Sequence, residues 1–150
     1  MTKKMNNMMQ GKVLYRWFFC LLITGLVFSC NEPEGFKTPE DPLDAGREFV
    51  RAVLDGNYEK ASLYLLNDQE DIELFGRYQA YMKKQPQKEK LQLKSASIII
   101  NKVENQNDSV SIISFSNSYS MKPMDLKVVR SEKTWKVDFK YTFSGNLPLE

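Results

Sequence analysis

The chain contains no histidine, which removes the commonest general base near neutral pH and the commonest protein ligand for metals. A His–Asp dehydratase dyad is therefore excluded outright. Cysteine is nearly absent as well, with Cys20 and Cys30 the only two. Acids are missing from residues 1–29, which carry Lys3, Lys4, Lys12 and Arg16. With those four removed from the 21 basic residues, the rest of the chain holds 17 against 19 acidic groups. A near-neutral, slightly acidic body has no electrostatic footprint for nucleic acid. The sequence also lacks a metal-ligand cluster, a glycine-rich phosphate loop and a nucleophile elbow, so no catalytic residue, metal site or cofactor is assigned. What is present is ordinary: 150 residues, 42% hydrophobic and 27% charged, make one globular domain and exclude a collagen, a mucin-like stalk or a wholly disordered tail.

The most apolar run, Trp17 to Phe28, has 12 residues. As a helix at ~1.5 Å per residue it reaches about 18 Å, well short of a ~30 Å hydrocarbon core. A basic region, a short apolar run and a small residue in that order read as a secretory signal over residues 1–29. An uncleaved anchor helix extended back through Val13-Leu14-Tyr15 would enclose Arg16, and a cleaved, unlipidated secreted form is the third reading. Val27-Phe28-Ser29-Cys30 resembles the lipobox of bacterial lipoproteins, with Phe28 departing from the usual small or aliphatic residue. That resemblance implies cleavage between Ser29 and Cys30, lipid attachment to Cys30, and anchorage in the envelope of a Gram-negative bacterium. Asn31 in place of aspartate after the cysteine implies the outer membrane. Cys20 would leave with the signal, so the lone remaining cysteine is best explained as an acyl acceptor. Residues 30–41, rich in proline and acids, read as a disordered tether.

Residues 42–143 are expected to form the domain, with 144–150 a tail. Asp41 caps and Pro42 opens a first helix, whose stripe is Leu43, Gly46, Phe49, Val50, Val53 and Leu54; Gly56 stops it. Further helices are predicted over Tyr58–Leu66 and Asp71–Lys84, the latter with Ile72, Phe75, Tyr78, Gln79 and Met82 on one face. Pro86 and its Gln/Lys surroundings are expected to end the helical part. Period-two patterns then predict strands over Ser97–Val103, Ser109–Tyr119, Leu126–Arg130 and Trp135–Phe143, the last with Trp135, Val137, Phe139, Tyr141 and Phe143 inward and Asp138 facing solvent. Three N-terminal helices packed on a curved antiparallel sheet of about four strands is an α+β fold.

Asp55-Gly56-Asn57-Tyr58-Glu59-Lys60-Ala61 and the ending Val128-Val129-Arg130…Lys133-Thr134-Trp135-Lys136-Val137-Asp138 resemble the opening and closing parts of nuclear transport factor 2-like domains. The nearest version is the small bacterial lipoproteins of unknown function built on that roll. The resemblance implies a cone between helices and sheet, on a fold that hosts enzymes, binding modules and immunity proteins alike. Three functions follow as candidates: a non-catalytic binding or protein-interaction module, a cleft enzyme of the ketosteroid-isomerase type, and an immunity protein that masks a toxin. Asn101 and Asn117 fall in apolar registers. They are either hydrogen-bonded polar groups near a strand end or bulge, or the polar lining of a cleft with Tyr78 and Trp135 as its aromatic wall. Lys83, Lys84, Lys88 and Lys90 read as a solvated connector, with contact to an anionic headgroup as the sharper alternative. Ile98, Ile100, Val110 and Ile112 are expected on the outer sheet face, where they would support a homodimer. Other partners in view are the membrane, through the lipid on Cys30, and a small apolar ligand or envelope protein.

Overall fold

The computed structural model describes residues 36–143. The signal, Ser29, Cys30, the first part of the tether and the tail at 144–150 lie outside the described residues. Four helices come first: α1 (Pro42–Leu54), α2 (Tyr58–Tyr64), α3 (Gln69–Lys84) and α4 (Gln87–Ser95). Four strands follow, β1 (Ile98–Asn107), β2 (Val110–Asn117), β3 (Met124–Ser131) and β4 (Thr134–Asp138), and a short α5 (Phe139–Phe143) closes the described chain. The strands form one antiparallel meander in the order β1-β2-β3-β4. The first three helices pack on this open, curved sheet, which is the α+β roll of nuclear transport factor 2-like type.

Local chemistry accounts for the helix boundaries. The Asp44 amide donates to the Asp41 carboxylate at 2.8 Å, Pro42 opens α1, and Gly56 takes φ +73° just beyond its end. Asn57 and Asp68 cap α2 and α3 in the same way. Gly46 is where α1 crosses the sheet most closely. A Cβ there would lie 2.8 Å from Ile113 Cδ1 and 3.1 Å from Leu126 Cδ2, so a larger residue would force those side-chain ends to shift. Phe49 from α1, Phe75 and Tyr78 from α3, Tyr58 from α2 and Phe139 from α5 form an aromatic cluster with ring centroids 5.1 to 6.4 Å apart. Ile113, Leu126, Val128 and Val137 are the sheet's buried counterpart.

Several expectations need correction. Pro86 does not end the helical part: its extended backbone terminates α3 and at the same time opens α4, with the Glu89 and Lys90 amides donating to its carbonyl. The inward face of β1 is the opposite of that expected. Asn101 is the extra residue of a bulge between Ile100 and Lys102, and one added residue reverses the side-chain alternation. Ile98 and Ile100 therefore pack against the core, while Ile99 pairs with Ser116 on the outer face. Val110 and Ile112 do face outward, so the four-residue outer patch does not exist; Ile112 instead sits between Glu104 and Lys127. The last strand stops at Asp138, and Asp138 is buried rather than solvent-facing. Its carboxylate pairs with Lys127 at 2.9 Å across the strands and accepts from the Tyr141 amide as α5 begins. Ile72 and Tyr141, expected on inward faces, are exposed, as is Tyr119 at the end of the second predicted strand.

The segment read as tether is partly docked. Phe36 packs against Tyr64 with ring centroids 5.1 Å apart, the Lys37 amide donates to the Tyr64 hydroxyl, and Pro39 is buried. Lys136 lies over the Phe36 ring and donates to the Leu63 carbonyl, and burial holds its ammonium below the usual lysine range. The chain next to Tyr64 also meets the sheet: Leu65 bridges Val137 in parallel, and the Leu66 amide donates to the Val137 carbonyl at 2.9 Å.

Candidate functional site

A cleft lined by Tyr78, Asn101, Asn117 and Trp135 would need the two ends of the sheet to meet. Asn101 lies on β1 and Trp135 on β4, three strand spacings or about 14 Å apart across the sheet. The four residues are accordingly not brought together. Asn101 is exposed on its bulge and accepts from the Ser116 hydroxyl. Asn117 ends β2, where its side-chain oxygen accepts from the amides of Tyr119 and Ser120. Trp135 packs against the core with the Arg130 guanidinium 5.9 Å from its ring. Tyr78 belongs to the aromatic cluster, and burial raises its hydroxyl well above the usual tyrosine range. The space between helices and sheet is thus filled by rings.

A buried carboxylate is present where none was expected. Asp71, in the first turn of α3, is wholly buried; one oxygen accepts from the Lys140 amide at 2.7 Å and the other has no partner. Loss of solvent pushes its carboxyl above the ordinary range, opposed by the Lys140 amide and reinforced by the nearby Asp138. Asp68 and Lys140 pair at 3.0 Å outside it, and this pairing lowers the first and raises the second. Asp71 lines none of the grooves described here. Its contacts tie α5 to α3, which is a structural role. Among the described residues no group of His, Cys, Asp and Glu is placed to hold a metal ion, and no helix is long and apolar enough to cross a membrane.

The concavity with the clearest chemistry lies outside the cone, between the end of α1, the end of α3 and α4. It measures about 410 Å³, within the span of small-molecule sites. Val53, Leu54, Tyr58, Met82, Leu91 and Leu93 make its apolar surface, and Lys83, Lys90, Lys94 and Asp55 stand around it. Arg51 fixes the outer wall: its guanidinium donates to the Ala96 carbonyl at 2.7 Å and the Lys94 carbonyl at 3.0 Å while pairing with Asp55. Lys90 donates to the Lys83 carbonyl at 2.7 Å and so closes the corner between α3 and α4. Leu91, Leu93 and Lys94 were missed as site residues because the helix that carries them was missed. The signal was there: Pro86 opens a run of strong helix formers, with Glu89 in its first turn and Lys94 in its last. A second hollow of about 540 Å³ between α2, α3 and β4 is bordered by Leu66, Ile72 and Lys136, and the ammonium of Lys136 is already bonded to Leu63.

Fold and grooves together define a small α+β roll with a packed interior and its openings on the outside. Comparison of the chain with family models, with curated proteins and with solved structures gives no match.

Proposed function

We propose that the chain is a lipid-anchored protein of the bacterial cell envelope whose roll serves as a non-catalytic binding or protein-interaction module. The observation that carries this reading is the filled cone. Enzymes of the isomerase type need an open cavity with a convergent acid and hydroxyl donors, whereas here five aromatic rings occupy that volume. The anchor is argued from the Val27–Cys30 pattern, with Cys30 taking the lipid and the outer membrane as destination. A homodimer through the sheet face is no part of the reading, since Ile98 and Ile100 turn inward and Ile112 sits between Glu104 and Lys127.

Two measurements test it. Cys30→Ala should abolish incorporation of labelled palmitate and leave the precursor uncleaved; unchanged labelling would remove the anchor. In a deletion strain, the double variant D71N/Y78F should complement as well as the wild type. Loss of complementation by a chain that still folds would restore the enzyme reading.

A further inference from the structure

We propose that the groove between α1, α3 and α4 binds one long-chain carboxylate, its hydrocarbon over Met82, Leu91 and Leu93 and its head against Lys83, Lys90 and Lys94. The inference rests on the binding-module reading and names the ligand. Leu91, 56% exposed, adjoins Met82 and Leu93 in the groove wall, so a hydrocarbon chain laid there would take its side chain out of water. The cationic side is uncompensated. None of the three lysines is in an ion pair among the described residues, and the only acid lining the groove, Asp55, is taken by Arg51 at 3.0 Å. Lys90 bonds a carbonyl, which leaves its charge free to attract an anion. An uncharged apolar ligand would leave this lysine cluster unused. A second copy of the chain would bring basic α4 against basic α4, and like charges repel. A single acyl chain ending in a carboxylate satisfies both surfaces at once.

The full chain in phosphatidylcholine nanodiscs, irradiated with a diazirine-bearing palmitate analogue or with the corresponding alcohol, provides the test. The acid should give adducts on the segment from Met82 to Leu93, at least about fivefold above the alcohol, a ratio equal to roughly 1 kcal/mol of charge interaction. Leu91→Asp should cut the yield, and so should K83Q/K94Q, which retains the Lys90 bond to the residue 83 carbonyl; both variants change exposed side chains and should keep the wild-type melting transition. Equal labelling by the alcohol, undiminished labelling of the folded variants, or adducts concentrated elsewhere would overturn the proposal. Such a result leaves the anchor untouched, because that is read independently from labelling at Cys30.

Discussion

Phe139→Ala is expected to lower the unfolding free energy by about 3–5 kcal/mol, the largest loss foreseen for a single side chain here. Phe139 is fully buried and its ring meets Phe49, Phe75 and Tyr78, so it joins α1, α3 and the end of the sheet in one contact set. Truncation removes the ring from water-excluded packing and leaves a void that the flanking rings cannot close without leaving their rotamers. Equilibrium urea denaturation of the full chain measures it. A loss under about 1 kcal/mol would mean that the site collapses freely, and the filled cone would no longer argue against a cavity.

The second large effect concerns Asp71. Replacement by alanine orphans the part-buried Lys140 amide and should cost about 1–3 kcal/mol. Replacement by asparagine keeps an oxygen for that amide and removes the titration. The sign follows from linkage. Burial raises the folded-state pKa of Asp71, so the folded protein holds this proton more tightly than the unfolded chain. Stability therefore falls as pH rises from the ordinary carboxylate value through the raised one, then levels. The gap between Asp71→Asn and wild type should grow in favour of asparagine across that window, and Asp68, which titrates in the opposite sense, cancels in the difference. Denaturation curves from pH 4 to pH 8 decide it; a constant gap, or one widening toward acid, would show that Asp71 reaches solvent or an unseen donor.

The helices from Pro42 to Lys84 and the faces of β2 were legible because periodicity, caps and burial there agree, and β3 was legible as a strand. Asp41, Asn57 and Asp68 sit where a cap is required, and Ile113, Phe115, Leu126 and Val128 alternate as a half-buried sheet demands. Legibility failed where one residue serves two elements. Pro86 was read as a terminator and is also an initiator. Asn101 was marked by its polarity in an apolar register, and a bulge was one of its two readings, but Ile98, Ile99 and Ile100 fit either face, so the reversal it causes could not be placed. Asp138 continues an alternation and then caps a helix, so Phe139 is buried from a helix rather than from a strand. The groove went unread because it depends on α4, which is marked by Pro86, its helix formers and its end charges but has too few apolar residues to show a face. Asp71 was hidden for the opposite reason: a carboxylate in the first turn of a helix is what solvent exposure and the helix dipole both favour, and nothing local says that α5 will cover it.

The same bulge has a bearing on how many copies can share a small area. A sheet edge with free amides and carbonyls is a template for polymerisation, and a protein held on a membrane, as proposed for this one, would meet its neighbours at high effective concentration. The β4 edge is closed by the Leu65 bridge and the Leu66 amide, which leaves β1 as the open one among the described strands. Across its ten residues β1 is interrupted at Asn101, irregular again near Asn105 to Asn107, and carries the exposed Lys102–Glu104 pair between. No long run of evenly spaced donors and acceptors remains for a neighbour to zip onto. Crowded molecules of this chain should therefore stay separate rather than grow into fibres.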